Sequence, residues 1–208
     1  MDVYSSMRDG YFVELGANNG LLYSNTVELE RHFGWRGLCI EASSRKFAEL
    51  LSNRPLCTNR FAIVTADDTT MVEEVLVDEA EDPSASGQRT EYKLVTDGAS
   101  EGVRKSSSMR TLLRDAAAPR WIDFLSLDVE GFELDILRAW PWETYTIGAL
   151  VVEHNFVDSY RDAIHALLRD QGYERVHSPP TDDLACPKEL VRPASAHFHP
   201  HQEQARKK

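Results

Sequence analysis

Two clusters in this sequence have residue types and spacing suited to chemistry. The first is Tyr11-Phe-Val-Glu-Leu-Gly-Ala-Asn-Asn-Gly20, an apolar run that breaks into a turn carrying Gly16 and Gly20. The second gathers acids, an amide and a histidine at two later points, Asp128-Val129-Glu130 and Glu153-His154-Asn155. A glycine turn that follows a short apolar run is how nucleotide-type cofactors are held in open α/β sheets. This turn departs from the dinucleotide pattern G-x-G-x-x-G, since Asn18 stands where the middle glycine would admit a pyrophosphate. Glu14 precedes it and no Lys or Arg lies within it. S-adenosylmethionine carries no phosphate and has a cationic sulfonium, so an acidic, amide-lined turn suits it better than it suits NAD.

Gly37-Leu-Cys-Ile-Glu41 is a second short apolar run ending in an acid. It lies roughly 20 to 25 residues beyond the first glycine, where a carboxylate can accept hydrogen bonds from a ribose diol. The second cluster offers different chemistry. Asp128, Glu153 and Asn155 present hard oxygen atoms of the kind that bind Mg²⁺ or Mn²⁺ in preference to zinc. His154 is the candidate general base for a hydroxyl, with Asp128 and Glu153 orienting the acceptor or an ion.

These residues need a frame to bring them together. Apolar runs predict strands at 11–15, 37–41, 61–64, 121–128 and 147–153. Between them the pattern predicts helices over 24–33, 44–52 and 131–140, with Leu29 and Phe33 on one face of the first and Phe47, Leu50 and Leu51 buried by the second. The strongest helical periodicity runs from Asp158 to Gln171, with Tyr160, Ile164, Leu167 and Leu168 on one face and Gly172 as its stop. Strands alternating with helices in this rhythm give a doubly wound α/β sheet, and ligands bind outside the carboxyl ends of its strands. On that expectation the ends at Asp128 and Glu153 lie side by side.

Two segments break the rhythm. Residues 69–108 carry possible strands at Val72–Leu76 and Tyr92–Val95 around an acidic Ser/Gly/Pro stretch, and read as an inserted hairpin that covers the acceptor or as a surface excursion. After Val176 the chain becomes Pro-rich and polar, and residues 178–208 read as partly disordered, His197-Phe-His-Pro-His201 included. At 208 residues and 42% hydrophobic content, one sizeable core is expected. The net charge of −11 argues against a surface made for nucleic acid. Cys39, Cys57 and Cys186 show no metal spacing or disulfide framework, which points to reduced thiols in a cytoplasmic setting. No apolar stretch reaches the roughly 20 residues of a membrane span.

Taken in order, Tyr11-Phe-Val-Glu-Leu-Gly-Ala-Asn-Asn-Gly20, Ser24-Asn-Thr26, Gly34-Trp-Arg-Gly37, Cys39-Ile-Glu-Ala42 and Ile122-Asp-Phe-Leu-Ser-Leu-Asp-Val-Glu-Gly-Phe-Glu-Leu134 resemble the FkbM-type S-adenosylmethionine-dependent methyltransferases. The resemblance runs from about residue 11 to residue 177. It implies a class I methyltransferase sheet of seven strands, Rossmann-like and mostly parallel with the last strand antiparallel, and a methyltransferase domain over 1–177. It also implies O-methylation of a hydroxyl on a sugar, glycan or other small metabolite. By position, Glu14, Gly16, Asn18, Gly20 and Asn25 match the family's cofactor turn, Glu41 its ribose acid, and Asp128 and Glu130 its strand-four motif. Ala17 and Ala42 join this cofactor-binding set as the neighbours of Gly16 and Glu41. The family more often has Asp at the place of Asn19 and Pro at the place of Ala42. Two other classes stay open at the level of sequence: a non-catalytic module that binds an adenosyl ligand in the same fold, and a NAD-type oxidoreductase read through a relaxed turn.

Overall fold

A computed structural model describes residues 7–78, 88–95, 102–154, 157–177 and 182–187. Seven strands form one sheet in the order β3-β2-β1-β7-β8-β10-β9. They are β1 (Tyr11–Leu15), β2 (Arg36–Glu41), β3 (Thr58–Phe61), β7 (Trp121–Leu127), β8 (Thr146–Glu153), β9 (Tyr173–His177) and β10 (Asp182–Pro187). The strands from β3 to β8 pair in parallel, and β10 runs antiparallel to both β8 and β9. The expected class, a doubly wound sheet with one antiparallel strand near the C-terminus, is the fold observed.

Alternation along β1 sorts the helices onto two faces. Val13 and Leu15 face a core built with Met109, Leu112 and Leu113 of α3 (Met109–Asp115), Leu134, Ile136 and Leu137 of α4 (Glu133–Arg138), and Ile164 and Leu168 of α5 (Asp158–Asp170). Phe12 faces the other way, into a smaller core where Leu29 and Phe33 of α1 (Val27–Phe33) and Phe47 and Leu50 of α2 (Ser44–Asn53) pack. Glu14 shares the parity of Phe12, so strand geometry alone sends its side chain toward α1 and α2. Leu51, expected in this core, is 50% exposed.

The remaining strands, β4 (Met71–Asp78), β5 (Gln88–Leu94) and β6 (Val103–Lys105), form a separate antiparallel sheet ordered β5-β4-β6. The expected hairpin is therefore three-stranded. A parallel bridge between Val64 and Ser107 and a 2.8 Å hydrogen bond between the Thr65 and Ser106 hydroxyls tie its base to the main body.

Three elements differ from or add to the sequence reading. The third strand is Thr58–Phe61, three residues earlier than the apolar run at 61–64. It is an edge strand paired only with β2 and needs no apolar face, whereas Ile63 and Val64 are apolar because the chain dives into the core after it. Helix α3 was not anticipated; Ser108 caps it by accepting from the Thr111 N–H. Strand β10, for which the sequence shows no periodic pattern, falls within the segment 178–208 read as partly disordered, and buries Ala185 and Cys186. The segment His197-Phe-His-Pro-His201 lies outside the described residues.

Candidate cofactor and acceptor site

Register assembles the site. Leu15 pairs with Ile40 of β2 and with Leu127 of β7, and Leu127 pairs with Val152 of β8. The residues one step beyond these four are Gly16, Glu41, Asp128 and Glu153, which therefore share the carboxyl edge of the sheet. The edge includes the switch point between β1 and β7, where successive connections depart in opposite directions.

Gly16 holds a φ of 76°, and a Cβ there would lie 1.8 Å from the Asp128 carbonyl oxygen, so only glycine lets the two strand ends approach this closely. The turn's amides are already engaged. Gly16 and Ala17 N–H both donate to the Ile40 carbonyl, and Asn18 N–H donates to Glu41 Oε2 at 2.8 Å. A pyrophosphate needs a nest of free N–H groups, and this turn does not offer one. Ser43 N–H donates to the other Glu41 oxygen at 2.7 Å, fixing a carboxylate that is 6% exposed. Burial pushes the Glu41 carboxyl above its usual range, opposed by those amides. Each oxygen keeps a lone pair for a further donor, such as a ribose hydroxyl.

Glu14 sits beneath the turn and not at its surface. It is 2% exposed and accepts from Ser24 Oγ, Asn25 N–H at 2.8 Å and Thr26 Oγ1 at 2.7 Å. Arg54, completely buried, reaches the same place: Nη1 contacts Glu14 Oε2 at 3.4 Å, the Gly20 carbonyl at 3.3 Å and Ser24 Oγ at 3.1 Å, while Nε meets Glu30 at 2.9 Å. Burial raises the Glu14 pKa, and Thr26, Arg54 and Ser24 oppose the rise. A Cβ on Gly20 would strike Arg54 Cγ at 2.6 Å, so this glycine makes room for the arginine. Asn25 ties the turn to β7 through Nδ2 to Ser126 Oγ at 3.0 Å. Sequence reasoning missed Arg54, because its partners stand 24 to 40 residues away and no local pattern links them.

At the β7 and β8 ends, carboxylate oxygens of Asp128, Glu133 and Glu153 lie within 4.8 Å of one another. Glu133 belongs to the segment 122–134 that carries the resemblance, but no site role is read for it from the sequence. It accepts from Val129 N–H, Gly131 N–H and the Tyr160 hydroxyl. Asn155 lies outside the described residues, so Glu133 is the third oxygen donor described there. Burial, then Asp128, then Glu130 and Glu133 push the Glu153 carboxyl up to about 8. Its Oε2 has no hydrogen-bond partner among the described residues, and neither does Nδ1 or Nε2 of His154, which is 3% exposed.

The inserted sheet reaches the carboxyl edge of the main sheet at Ala42. Arg104 of β6 donates to the Ala42 carbonyl, pairs with Glu74 at 3.1 Å and lies 4.2 Å from the centre of the Phe61 ring. Burial, then the charges of Glu41 and Glu74, raise the Tyr92 phenol on β5 above its usual range. Tyr92 falls in the strand expected at 92–95, but neither it nor Arg104, whose short strand Val103–Lys105 was not expected, carries a signal that marks a site residue.

Among solved structures the chain is similar to the METTL16 methyltransferase domain, with 12% identity and a TM-score of 0.52, covering 89% of this chain and 63% of that one. It is also similar to precorrin-6y C5,15-methyltransferase from Geobacter metallireducens GS-15, with 13% identity and a TM-score of 0.50, covering 88% of this chain and 82% of that one. At such identities the likeness is one of fold. No curated protein matches the sequence. No helix among the described residues is long and apolar enough to cross a membrane. The model of the methyltransferase FkbM domain matches residues 14–175, from the buried acid beneath the glycine turn to the strand after α5, and the chain belongs to that family.

Proposed function

We propose that this protein transfers the methyl group of S-adenosylmethionine to a hydroxyl oxygen of a sugar or other small metabolite. The observation that carries the reading is the carboxyl edge, where Gly16, Glu41, Asp128 and Glu153 stand in register and the turn amides are engaged within the protein. Glu41 is set to receive the ribose, with Asn18 and Ala42 beside it. The acceptor hydroxyl approaches from the β7 and β8 side. Its oxygen forms a bond to the methyl carbon as the carbon–sulfur bond breaks, S-adenosylhomocysteine leaves, and His154 takes the hydroxyl proton. Most of the acceleration comes from holding the two reactants in line, which can supply roughly 7 to 11 kcal/mol.

Asp128, Glu133 and Glu153 present three hard carboxylates that fit Mg²⁺ or Mn²⁺, and the open Glu153 Oε2 supports this reading. A bound ion would polarise the acceptor hydroxyl. Without one, the same acids orient the hydroxyl directly.

Calorimetry with S-adenosylhomocysteine and NAD tests the cofactor assignment. Binding of the first without the second is expected; the reverse would favour the oxidoreductase. Transfer of a labelled methyl group to a panel of hydroxyl acceptors then tests turnover, and cofactor binding without transfer to any would favour the non-catalytic module. His154→Ala is expected to lower transfer about 10²- to 10⁴-fold near neutral pH with cofactor affinity unchanged. Full activity in that variant would remove His154 from the mechanism.

A further inference from the structure

We infer that Arg104, supplied by the inserted sheet, is a positioning residue for the cofactor: it aims the Ser43 amide at Glu41 and so couples the seating of that sheet to the binding of a ribose diol. This deepens the reading above and rests on its assignment of Glu41 to the ribose. The two contacts that make the connection lie at opposite ends of one peptide group. The Ala42 carbonyl accepts from Arg104 Nη2, and the N–H of the same peptide, that of Ser43, donates to Glu41 Oε1 at 2.7 Å. A trans peptide is planar, with its carbonyl and N–H pointing in opposite directions, so holding the oxygen fixes the line of the N–H. Burial raises the Glu41 pKa, and the Ser43 amide is the largest of the contacts that oppose the rise. The guanidinium thus acts on the ribose acid through the backbone, without touching it.

Arg104 is itself held in this pose. Glu74 of β4 takes Nη2 at 3.1 Å, and the centre of the Phe61 ring lies 4.2 Å from the guanidinium. Phe61 ends β3 in register with Glu41 and packs on Phe47 of α2 at 5.3 Å, so the arginine rests on the strand beside the one that carries the ribose acid. Behind it, Arg104 pairs with Val72 in the ladder of β6 and β4. A hydrogen bond from a guanidinium is roughly twice as strong as a neutral one, which suits it to hold a peptide plane. Attachment of the sheet is served separately at its base, by the Val64 and Ser107 bridge and the Thr65 and Ser106 hydroxyls. The contact at Ala42 is therefore an additional one, placed where it bears on Glu41. By linkage, whatever Arg104 adds to cofactor affinity, bound cofactor adds to the docking of β6.

Two probes test this on the full chain, S-adenosylhomocysteine and its 2′,3′-dideoxy analogue. Arg104→Met should weaken the first about fivefold, at the low end of couplings between sites, and leave the second unchanged. In the same variant the amide proton of Ser43 should move upfield as its hydrogen bond to Glu41 lengthens. Arg104→Lys, which keeps a charged donor for Ala42, should recover part of both effects. Ser106→Ala cuts the tie at the base of the sheet and should lower the thermal midpoint with the Ser43 signal and both affinities unmoved. S-adenosylhomocysteine should also slow amide exchange in Val103–Lys105 of the wild type, and not in Arg104→Met. Equal loss of the two probes in Arg104→Met, a Ser43 signal that stays in place, or the same changes in Ser106→Ala would overturn the inference. The two readings fail separately. Wild-type protein that ignores both probes sinks the ribose assignment, and an unmoved Ser43 signal in a protein that binds S-adenosylhomocysteine sinks the role of Arg104 alone.

Discussion

The two halves of the carboxyl edge differ in how completely their polar groups are matched. On the β1 and β2 side, Glu14 has Ser24, Asn25, Thr26 and Arg54, and Glu41 has Asn18 and Ser43. On the β8 side, Glu153 Oε2 and both nitrogens of His154 are without partners among the described residues. One half is preorganised by the protein itself, while the other keeps open hydrogen-bonding capacity for what it binds. Such a division suits an enzyme that always uses one cofactor and must admit and release an acceptor at each turnover.

The sharpest way to break the contrast is to remove the cation that organises the matched half. Arg54→Met leaves Glu14 and Glu30 buried without their counter-charge, and loss of one partner from a buried ionic group costs about 3–5 kcal/mol. The urea midpoint should fall accordingly. Arg54→Lys should recover part of the loss, since an ammonium cannot reach Gly20, Ser24, Thr26 and Glu30 together as the guanidinium does. If Arg54→Met unfolded at the wild-type midpoint, the matched half would not depend on this network.

A smaller effect is expected at Glu41. Glu41→Gln keeps one acceptor oxygen for two amide donors, Asn18 and Ser43, and gives up the charge offered to a ribose diol. S-adenosylhomocysteine should bind about tenfold more weakly, or about 1.4 kcal/mol by calorimetry. Affinity equal to wild type would mean that Glu41 only shapes the turn.

How much of this was legible in the sequence follows from how local each signal is. The runs ending at Leu15, Ile40, Leu127 and Val152 are apolar because central parallel strands are covered on both faces, and from their ends the rim positions Gly16, Glu41, Asp128 and Glu153 could be read. Thr58–Phe61 hid because an edge strand needs no such run, and Asp182–Pro187 because its apolar run is only Leu184-Ala185-Cys186, set between two Asp and a Pro. Glu14 was read as a cofactor residue from its place before the turn; its buried contacts became visible only with Arg54 beside it. Glu133 stands at a readable spacing within the segment 122–134 that carries the resemblance, but no role could be assigned until the short helix folded it back to the edge, and Arg104, on an inserted strand, leaves no spacing to read.

The smallest expected effect probes the open half through pH. With its carboxyl raised to about 8, Glu153 holds a proton in the folded protein over a range where the unfolded chain, titrating near 4.5, has released it. The folded state therefore binds more protons between these values, and stability must fall as pH rises from about 4.5 to about 8. Because the side chain is partly open to solvent, the contribution is discounted for screening to about 1 kcal/mol. Glu153→Gln removes the titrating group, so its thermal midpoint should gain on wild type progressively across that window and hold a constant advantage above it. Mg²⁺ gives the same comparison a second reading. An ion on Asp128, Glu133 and Glu153 favours the ionised carboxylate, so added Mg²⁺ should flatten the wild-type pH slope and leave Glu153→Gln nearly unmoved. A wild-type slope unchanged by Mg²⁺ would mean that the acids serve the acceptor alone, and a slope identical in wild type and Glu153→Gln would mean that the open half carries no strain from Glu153.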